Sequence, residues 1–361
     1  MKSPASVAFV THGGASVGLG HLARCLALAS AWADTGTAVT FVVPPNPIVT
    51  ERLRTLPLSP LGRGQGEGRD VVELDWIADP PGLRATLERL DAQVVVVDSY
   101  AATAEFLAGL ATPARLVVAI DDVADRPLPV DVVVNGGIAA ETLPYDRAGG
   151  VLLLLGARYA LVDPLFATPL IRPGRTRIER VLVSLGGGRQ TETVKAVLGA
   201  IDAALEGVQI DLVVGPFGPE ATGLDTANGR RENRLVIHRD PVDRRDLMAV
   251  ADLAIAGAGV TLYELSATAT PTVVIEMAGN QAPNAAGFAR AGAALPAGRA
   301  DQAGLAGELA QALRRLSADA GLRRELGARA RELVDGAGAL RVAREIASTA
   351  ERGRPVRVGR P

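Results

Sequence analysis

The feature that most constrains this chain is a succession of short, almost wholly apolar runs separated by segments of helical period. Runs at residues 7–10, 39–43, 94–97, 116–120, 132–134 and 151–155 form a first series; 181–184, 210–214, 235–237, 253–256 and 272–275 form a second. Runs that lack polar alternation are expected of parallel strands covered on both faces. Strands that alternate with helices build α/β units, and so doubly wound sheets. A polar stretch bearing Pro169 and Pro173 separates the two series and reads as a linker. The expected organisation is a first domain over 1–167, a linker over 168–179, a second domain over 180–350 and a disordered tail over 351–361. The length of 361 residues fits two domains at about 150 residues each. A glycine-rich loop at 57–69 is expected to be mobile surface.

Composition removes several classes of function. The net charge of −2, from 38 Lys and Arg against 40 Asp and Glu, creates no field to attract nucleic acid or an anionic membrane. Aromatics at 3% are too few for a base-stacking platform. The single cysteine, Cys25, excludes an internal disulfide and a thiolate metal cluster. His12, His21 and His238 are the only histidines and no H-E-x-x-H occurs, so no metal site is expected. The apolar stretch after Lys2 is too short for a signal-peptide core. No uncharged run approaches the roughly 18 residues of a membrane span, and a cytoplasmic location is expected.

The chemistry is expected where strands end in glycine loops that lead into helices. After the first strand, Gly13, Gly14, Gly18 and Gly20 let backbone approach a ligand closely, and His21 and Arg24 follow at a helix start. The helix dipole disfavours imidazolium there, which suits His21 to act as a base; a histidine that only caps or packs is the competing reading. The G-x-G-x-x-A of Gly18, Gly20 and Ala23 is a poor dinucleotide fingerprint, because the second strand ends in Val43-Pro44-Pro45 with no acidic residue for a ribose. A second loop carries Gly186 and Gly187. A third, at Gly259, Val260 and Thr261, opens a helix whose amides would cradle phosphate. Glu264, about one turn in, can accept both hydroxyls of a ribose, and Asn280 and Gln281 add amides to the same rim. Asp121-Asp122 reads as a loop end rather than a metal site.

Taken together these stretches resemble the nucleotide-sugar hydrolases of pseudaminic acid biosynthesis and the related spore coat polysaccharide glycosyltransferase-like proteins. The similar segments are V-G-L-G-H-L-A-R-C-L-A-L-A (17–29), V-V-D-S-Y (96–100), A-I-D-D-V-A-D-R-P (119–127), L-G-A-R-Y-A-L-V-D-P-L-F (155–166), S-L-G-G-G (184–188) and A-D-L-A-I-A-G-A-G-V-T-L-Y-E-L (251–265) with A-G-N-Q (278–281). The G-A-G-x-T-x-x-E element is shared more widely with GT-B enzymes such as MurG. The resemblance implies an α/β fold of GT-B type, with two doubly wound Rossmann-like domains facing a cleft, the nucleotide on the second and the sugar facing the first. It implies His21 as the base, with Tyr100 and Asn280 as the other active-site positions. The chain departs from the family at Gly188-Arg189-Gln190, where an Asp-Pro pair is usual, and at Val260 and Leu265 in the uridine-site motif.

The expected reaction is hydrolysis of a UDP-activated deoxy or amino sugar to UDP and free sugar, without metal or cofactor. A pyrophosphate leaving group is already a stable anion, so amides that stabilise its charge replace a general acid. The alternative is an inverting glycosyltransferase in which His21 deprotonates an acceptor hydroxyl; a non-catalytic nucleotide-sugar binding module ranks lower. The expected partner is a nucleotide-sugar substrate, neither nucleic acid nor membrane, and no oligomeric state is legible.

Overall fold

The computed structural model describes residues 3–352 except 16, 34, 57–68, 148–149, 173, 187–189, 219–232 and 242–243. Gly187, most of the loop at 57–69 and the tail from 353 therefore lie outside the described residues. The first sheet is built from β1 (Ser6–Thr11), β2 (Ala38–Val43), β3 (Arg69–Glu73), β4 (Val94–Asp98), β5 (Leu116–Ile120), β6 (Val132–Asn135) and β7 (Leu152–Leu155). All pairs are parallel and the order is β3-β2-β1-β4-β5-β6-β7. The second sheet contains β8 (Arg180–Ser184), β9 (Gln209–Val214), β10 (Arg234–Arg239), β11 (Leu253–Gly257), β12 (Thr272–Glu276) and β13 (Leu295–Arg299), parallel in the order β10-β9-β8-β11-β12-β13. The strand order reverses between β1 and β4 in one sheet and between β8 and β11 in the other. Ligands of such sheets sit beyond the carboxyl ends at these switch points.

The runs lack alternation because each strand feeds two cores. Val7 and Phe9 of β1 pack on one face with Phe41, Val94 and Val96, while Ala8 and Val10 pack on the other with Trp76, Val95 and Val97. Phe9 and Phe41 stack at 5.0 Å across paired strands, the cross-strand contact that fixes register. Two strands escape the apolar-run criterion. β3 has only Val71 and Val72 between charged residues, and β13 carries Pro296 and Gly298. Both are edge strands, a position that tolerates charged residues, proline and glycine.

The chain forms two compact units, Met1–Gly14, Leu19–Leu165 and Ala337–Pro361 in one, Ala15–Gly18 and Phe166–Gly336 in the other. This differs from the sequence boundaries at both ends of the second domain. The segment read as a linker at 168–179 is tied into the second unit, where Arg172 donates from Nη1 to the Met248 carbonyl at 2.9 Å and to Thr270 Oγ1 at 2.8 Å. Burial lowers the Arg172 pKa to about 10, still well above neutrality, so it holds these oxygens as a cation. The final helix, Gly338–Glu351, expected in the second domain, packs on the first: Ala339, Val342, Ala343 and Ile346 share a core with Leu22, Cys25 and Ala29. Among the described residues no helix is long and apolar enough to cross a membrane.

That docking depends on close backbone approach. A Cβ at Gly338 would fall on the Ala160 carbonyl oxygen, a backbone atom that cannot turn aside. Gly338→Ala should lower the unfolding free energy by about 1–3 kcal/mol, the usual cost of overpacking. Chemical denaturation measures it; an unchanged midpoint would mean the helix docks elsewhere.

Candidate active site

At the switch point of the first sheet, β1 and β4 lie side by side with Thr11 opposite Asp98. β4 is four valines followed by Asp98, so this carboxylate ends a buried strand with no access to solvent. An ionised carboxylate there needs several donors. They come from the helix Gly20–Ser30, which starts after Gly18 turns the chain at a φ of 71°, a left-handed conformation natural to glycine. His21 and Arg24 are three residues apart and so share a helix face. Arg24 grips Asp98 with two bonds, Nε to Oδ2 at 2.9 Å and Nη2 to Oδ1 at 2.7 Å, and its Nη1 donates to Asp122 Oδ2 at 2.8 Å. His21 Nδ1 lies 2.6 Å from Asp98 Oδ1.

Electrostatics follow from this geometry. Burial opposes ionisation of Asp98, but Arg24 and His21 outweigh it and hold the carboxyl below the ordinary carboxylate range. Burial likewise opposes the Arg24 charge, and Asp98 and Asp122 more than restore it. Arg24 Nη2 also lies 2.9 Å from His21 Nδ1. A carboxylate 2.6 Å from an imidazole lone pair would be repulsive, so Nδ1 carries a proton toward Asp98 and Nε2 is the nitrogen left to face other groups. A histidine oriented by a buried carboxylate is equipped, in its neutral form, to remove a proton through the other nitrogen.

Tyr100 completes the cluster. Its ring meets the His21 ring edge-on at 4.8 Å, its hydroxyl donates to Asp122 Oδ2 at 2.8 Å, and at 44% exposure it is reachable from solvent. On the far side His12, after β1, is edge-on to His21 at 5.1 Å. Asp121 and Asp122 divide their work. Asp121 is a loop-end residue as expected, accepting from Ala124 N at 2.8 Å and from the Tyr145 hydroxyl at 2.6 Å. Asp122 instead joins the cluster, and its Oδ1 is buried without a hydrogen-bond partner among the described residues. Sequence reasoning singled out His21, Arg24 and Tyr100, which the structure brings together, and missed Asp98, Asp122 and His12. The available signal was an acid closing an all-valine run beside a helix that carries Arg.

In the second unit Gly186, at a φ of 106°, follows β8, and Gly259 caps the helix Val260–Ala267 after β11. The amides of Val260 and Thr261 begin that helix. Glu264 is buried within it, bonded through Oε1 to Arg244 Nη2 at 3.2 Å, while Oε2 is buried with no partner among the described residues. Gln281 Oε1 accepts from Ala258 N at 2.9 Å and Met277 N at 3.2 Å, so it ties together the loops after β11 and β12. Asn280 is exposed in the short turn Gly279–Gln281 beside it. Arg244 is the partner that sequence reasoning did not find.

This architecture is the GT-B fold: the chain superposes on the crystal structure of Acinetobacter baumannii MurG with a TM-score of 0.65 at 16% identity, covering 96% of this chain and 100% of that one. The chain is also similar in sequence to curated proteins. It is 30% identical over 128 residues to the Helicobacter pylori pseudaminic acid cytidylyltransferase and UDP-2,4-diacetamido-2,4,6-trideoxy-β-L-altropyranose hydrolase, a match covering 35% of this chain and 22% of that protein. It is 27% identical over 215 residues to the Bacillus subtilis spore coat polysaccharide biosynthesis protein SpsG, covering 59% of this chain and 63% of that one. The chain thus spans less than two thirds of the length of either relative. No family model matches it.

Asp98 offers a direct test of the cluster. Asp98→Asn deprives Arg24 of its main counter-charge, and should cost about 3–5 kcal/mol in unfolding free energy. Its titration has a defined sign. The folded-state carboxyl titrates below the unfolded one, so ionised Asp98 stabilises the fold fully above about pH 4 and the contribution is lost as pH falls through the lowered value. Denaturation across that acid window should show a shallower decline in the variant. Equal slopes would assign the acid lability to other groups.

Proposed function

We propose that the protein transfers a sugar from a nucleotide-sugar donor, most simply UDP-linked, to an acceptor hydroxyl that His21 deprotonates. The observation that carries this reading is the His21–Asp98 pair, a buried imidazole oriented through Nδ1 at the switch point of the first sheet, with Nε2 left to meet the acceptor. Asp98 holds the ring and stabilises it as it gains the acceptor proton, while Arg24 prevents the carboxylate from standing as an isolated buried charge. Tyr100, reachable and anchored to Asp122, contributes a surface against the sugar.

The second unit supports the donor half. Amides at the start of the helix Val260–Ala267 and at Gly186 suit a diphosphate, whose growing charge they stabilise as the sugar–oxygen bond breaks. The unpartnered Oε2 of Glu264 suits a ribose hydroxyl, with Arg244 holding the other oxygen. Asn280 is read as a further contact to the donor. Transfer is favoured because the relationship to SpsG, a polysaccharide biosynthesis protein, extends over 59% of the chain. The second reading, hydrolysis with water as acceptor, draws on the 128-residue similarity to the Helicobacter pylori hydrolase. UDP release from a donor without acceptor separates them: stoichiometric release supports hydrolysis, and release only on adding an acceptor supports transfer. No release under either condition would sink both.

Two substitutions should split the kinetics in opposite ways. His21→Asn removes a base and should lower kcat by about 100-fold or more with KM nearly kept. Glu264→Ala removes charge-assisted hydrogen bonds that hold the nucleotide in ground and transition states alike, worth about 1.5–3 kcal/mol each. It should therefore raise KM and the UDP inhibition constant together, by tens of fold, and leave kcat largely unchanged. Wild-type UDP affinity in the Glu264 variant, or normal turnover in the His21 variant, would remove that residue from its role.

A further inference from the structure

We propose that His12 is a sugar-contacting residue of this site, donating a hydrogen bond from Nε2 to an oxygen of the sugar that reacts beside His21. This rests on the donor reading above, but on a residue that neither the glycine loops nor the family resemblance picks out.

His12 follows β1 directly, one residue beyond the Thr11–Asp98 pair. Its ring lies parallel to Trp76, with planes 4° apart and centroids at 6.2 Å, and Trp76 is pinned by a bond from Nε1 to the Thr11 carbonyl at 3.0 Å. On its other side it meets His21. The imidazole therefore has a fixed plane within the cluster. Its Nδ1 lies 3.2 Å from Ser99 Oγ, and that oxygen already accepts the Ala101 N–H at 3.0 Å. The serine proton is free to point at Nδ1, and in that arrangement the ring's own proton sits on Nε2. Nε2 is buried and has no hydrogen-bond partner among the described residues. Buried donors are almost always satisfied, and the few that are not call for an explanation. A sugar hydroxyl or N-acyl oxygen bound one ring away from the base supplies the missing acceptor.

The charge state is consistent. Burial, then the neighbouring His21, lower the His12 pKa, with Asp98 opposing, so the ring is a neutral donor and not a second cation. Packing alone does not account for the residue. A phenyl ring would stack on Trp76 as well, without leaving a buried nitrogen to satisfy.

The chain has only 3 histidines, so the full-length protein labelled with nitrogen-15 at histidine resolves each ring by NMR. The expected result is His12 in the Nε2–H form without ligand, and hydrogen exchange at Nε2 slowed by about fivefold or more with saturating UDP-N-acetylglucosamine, the gain expected from one hydrogen bond. UDP alone should not slow it. In binding, His12→Phe should weaken UDP-N-acetylglucosamine by about fivefold to tenfold while UDP is unchanged, and His12→Gln, which retains an N–H, should recover part of the loss. An Nδ1–H tautomer, or equal His12 signals with UDP and UDP-N-acetylglucosamine both bound, overturns this assignment alone. A protein that binds neither compound overturns the donor reading and this assignment with it.

Discussion

The first unit is organised around a carboxylate that has no water. Asp98 closes β4 in the middle of a seven-stranded sheet, where an unpaired charge would be prohibitive. Its guanidinium partner is Arg24, and Arg24 reaches it only if the helix Gly20–Ser30 turns one particular face toward the strand end. That rotation simultaneously buries Leu22, Cys25 and Leu28 in the core. It also brings His21, one turn earlier on the same face, to the carboxylate oxygen that Arg24 Nη2 shares. The charge pair, the helix packing and the position of the imidazole are thus one constraint seen from three sides. A helix rotated to bury different residues would leave both the acid and the guanidinium without partners.

The two units solve the same topological problem with different chemistry. Each places a glycine turn at the point where strand order reverses, and each starts a helix there. In the first, the important groups are side chains that satisfy one another. In the second they are backbone amides, with Glu264 only half satisfied by Arg244. The contrast is informative. Every oxygen of Asp98 is engaged inside the protein, which suits a group that orients another residue. One oxygen of Glu264 is left over, which suits a group that meets a ligand. Gln281 and Asn284 support this second arrangement from behind: the amide oxygen of Gln281 joins two loops, and Asn284 bonds to Tyr263 at 2.8 Å and to the Ala258 carbonyl at 3.3 Å.

Nine of the eleven legible strands are interior, where burial on both faces demands an unbroken apolar run, and the edge strands β7 and β10 keep short apolar runs of their own. β3 and β13 were not, since charged residues at Arg69, Asp70 and Glu73 and the Pro296 and Gly298 breaks interrupt their runs, as edge positions tolerate. The last helix was misplaced for a different reason. Its amphipathic stripe declares that it packs on something, yet only tertiary contact with Leu22 and Cys25 specifies what. The candidate site divides along the same line. His21 and the Gly259 helix stand out by their position after a glycine loop. Asp98 and Asp122 matter because Arg24 reaches them from 74 and 98 residues away, a relation no spacing rule contains. Asp121 and Asp122, adjacent and alike in sequence, acquire opposite roles from the side of the backbone on which each projects.

The formal charges suggest why three ionic groups surround one imidazole in the proposed reaction. With His21 neutral, Asp98, Asp122 and Arg24 sum to one negative charge; once the ring has accepted a proton the cluster is neutral. Proton uptake therefore removes a net charge from a partly buried site instead of creating one, and in a low dielectric that difference favours the transition state. A single carboxylate would give the same sum, but with Asp122 the guanidinium is held at both ends, which fixes the Asp98 oxygen that meets the ring. Tyr100 extends the device outward, since its hydroxyl shares the Asp122 oxygen that Arg24 also uses. A substrate that presses on the exposed tyrosine thus bears on a chain of hydrogen bonds that ends at the base, and substrate position and base position are set by the same carboxylates.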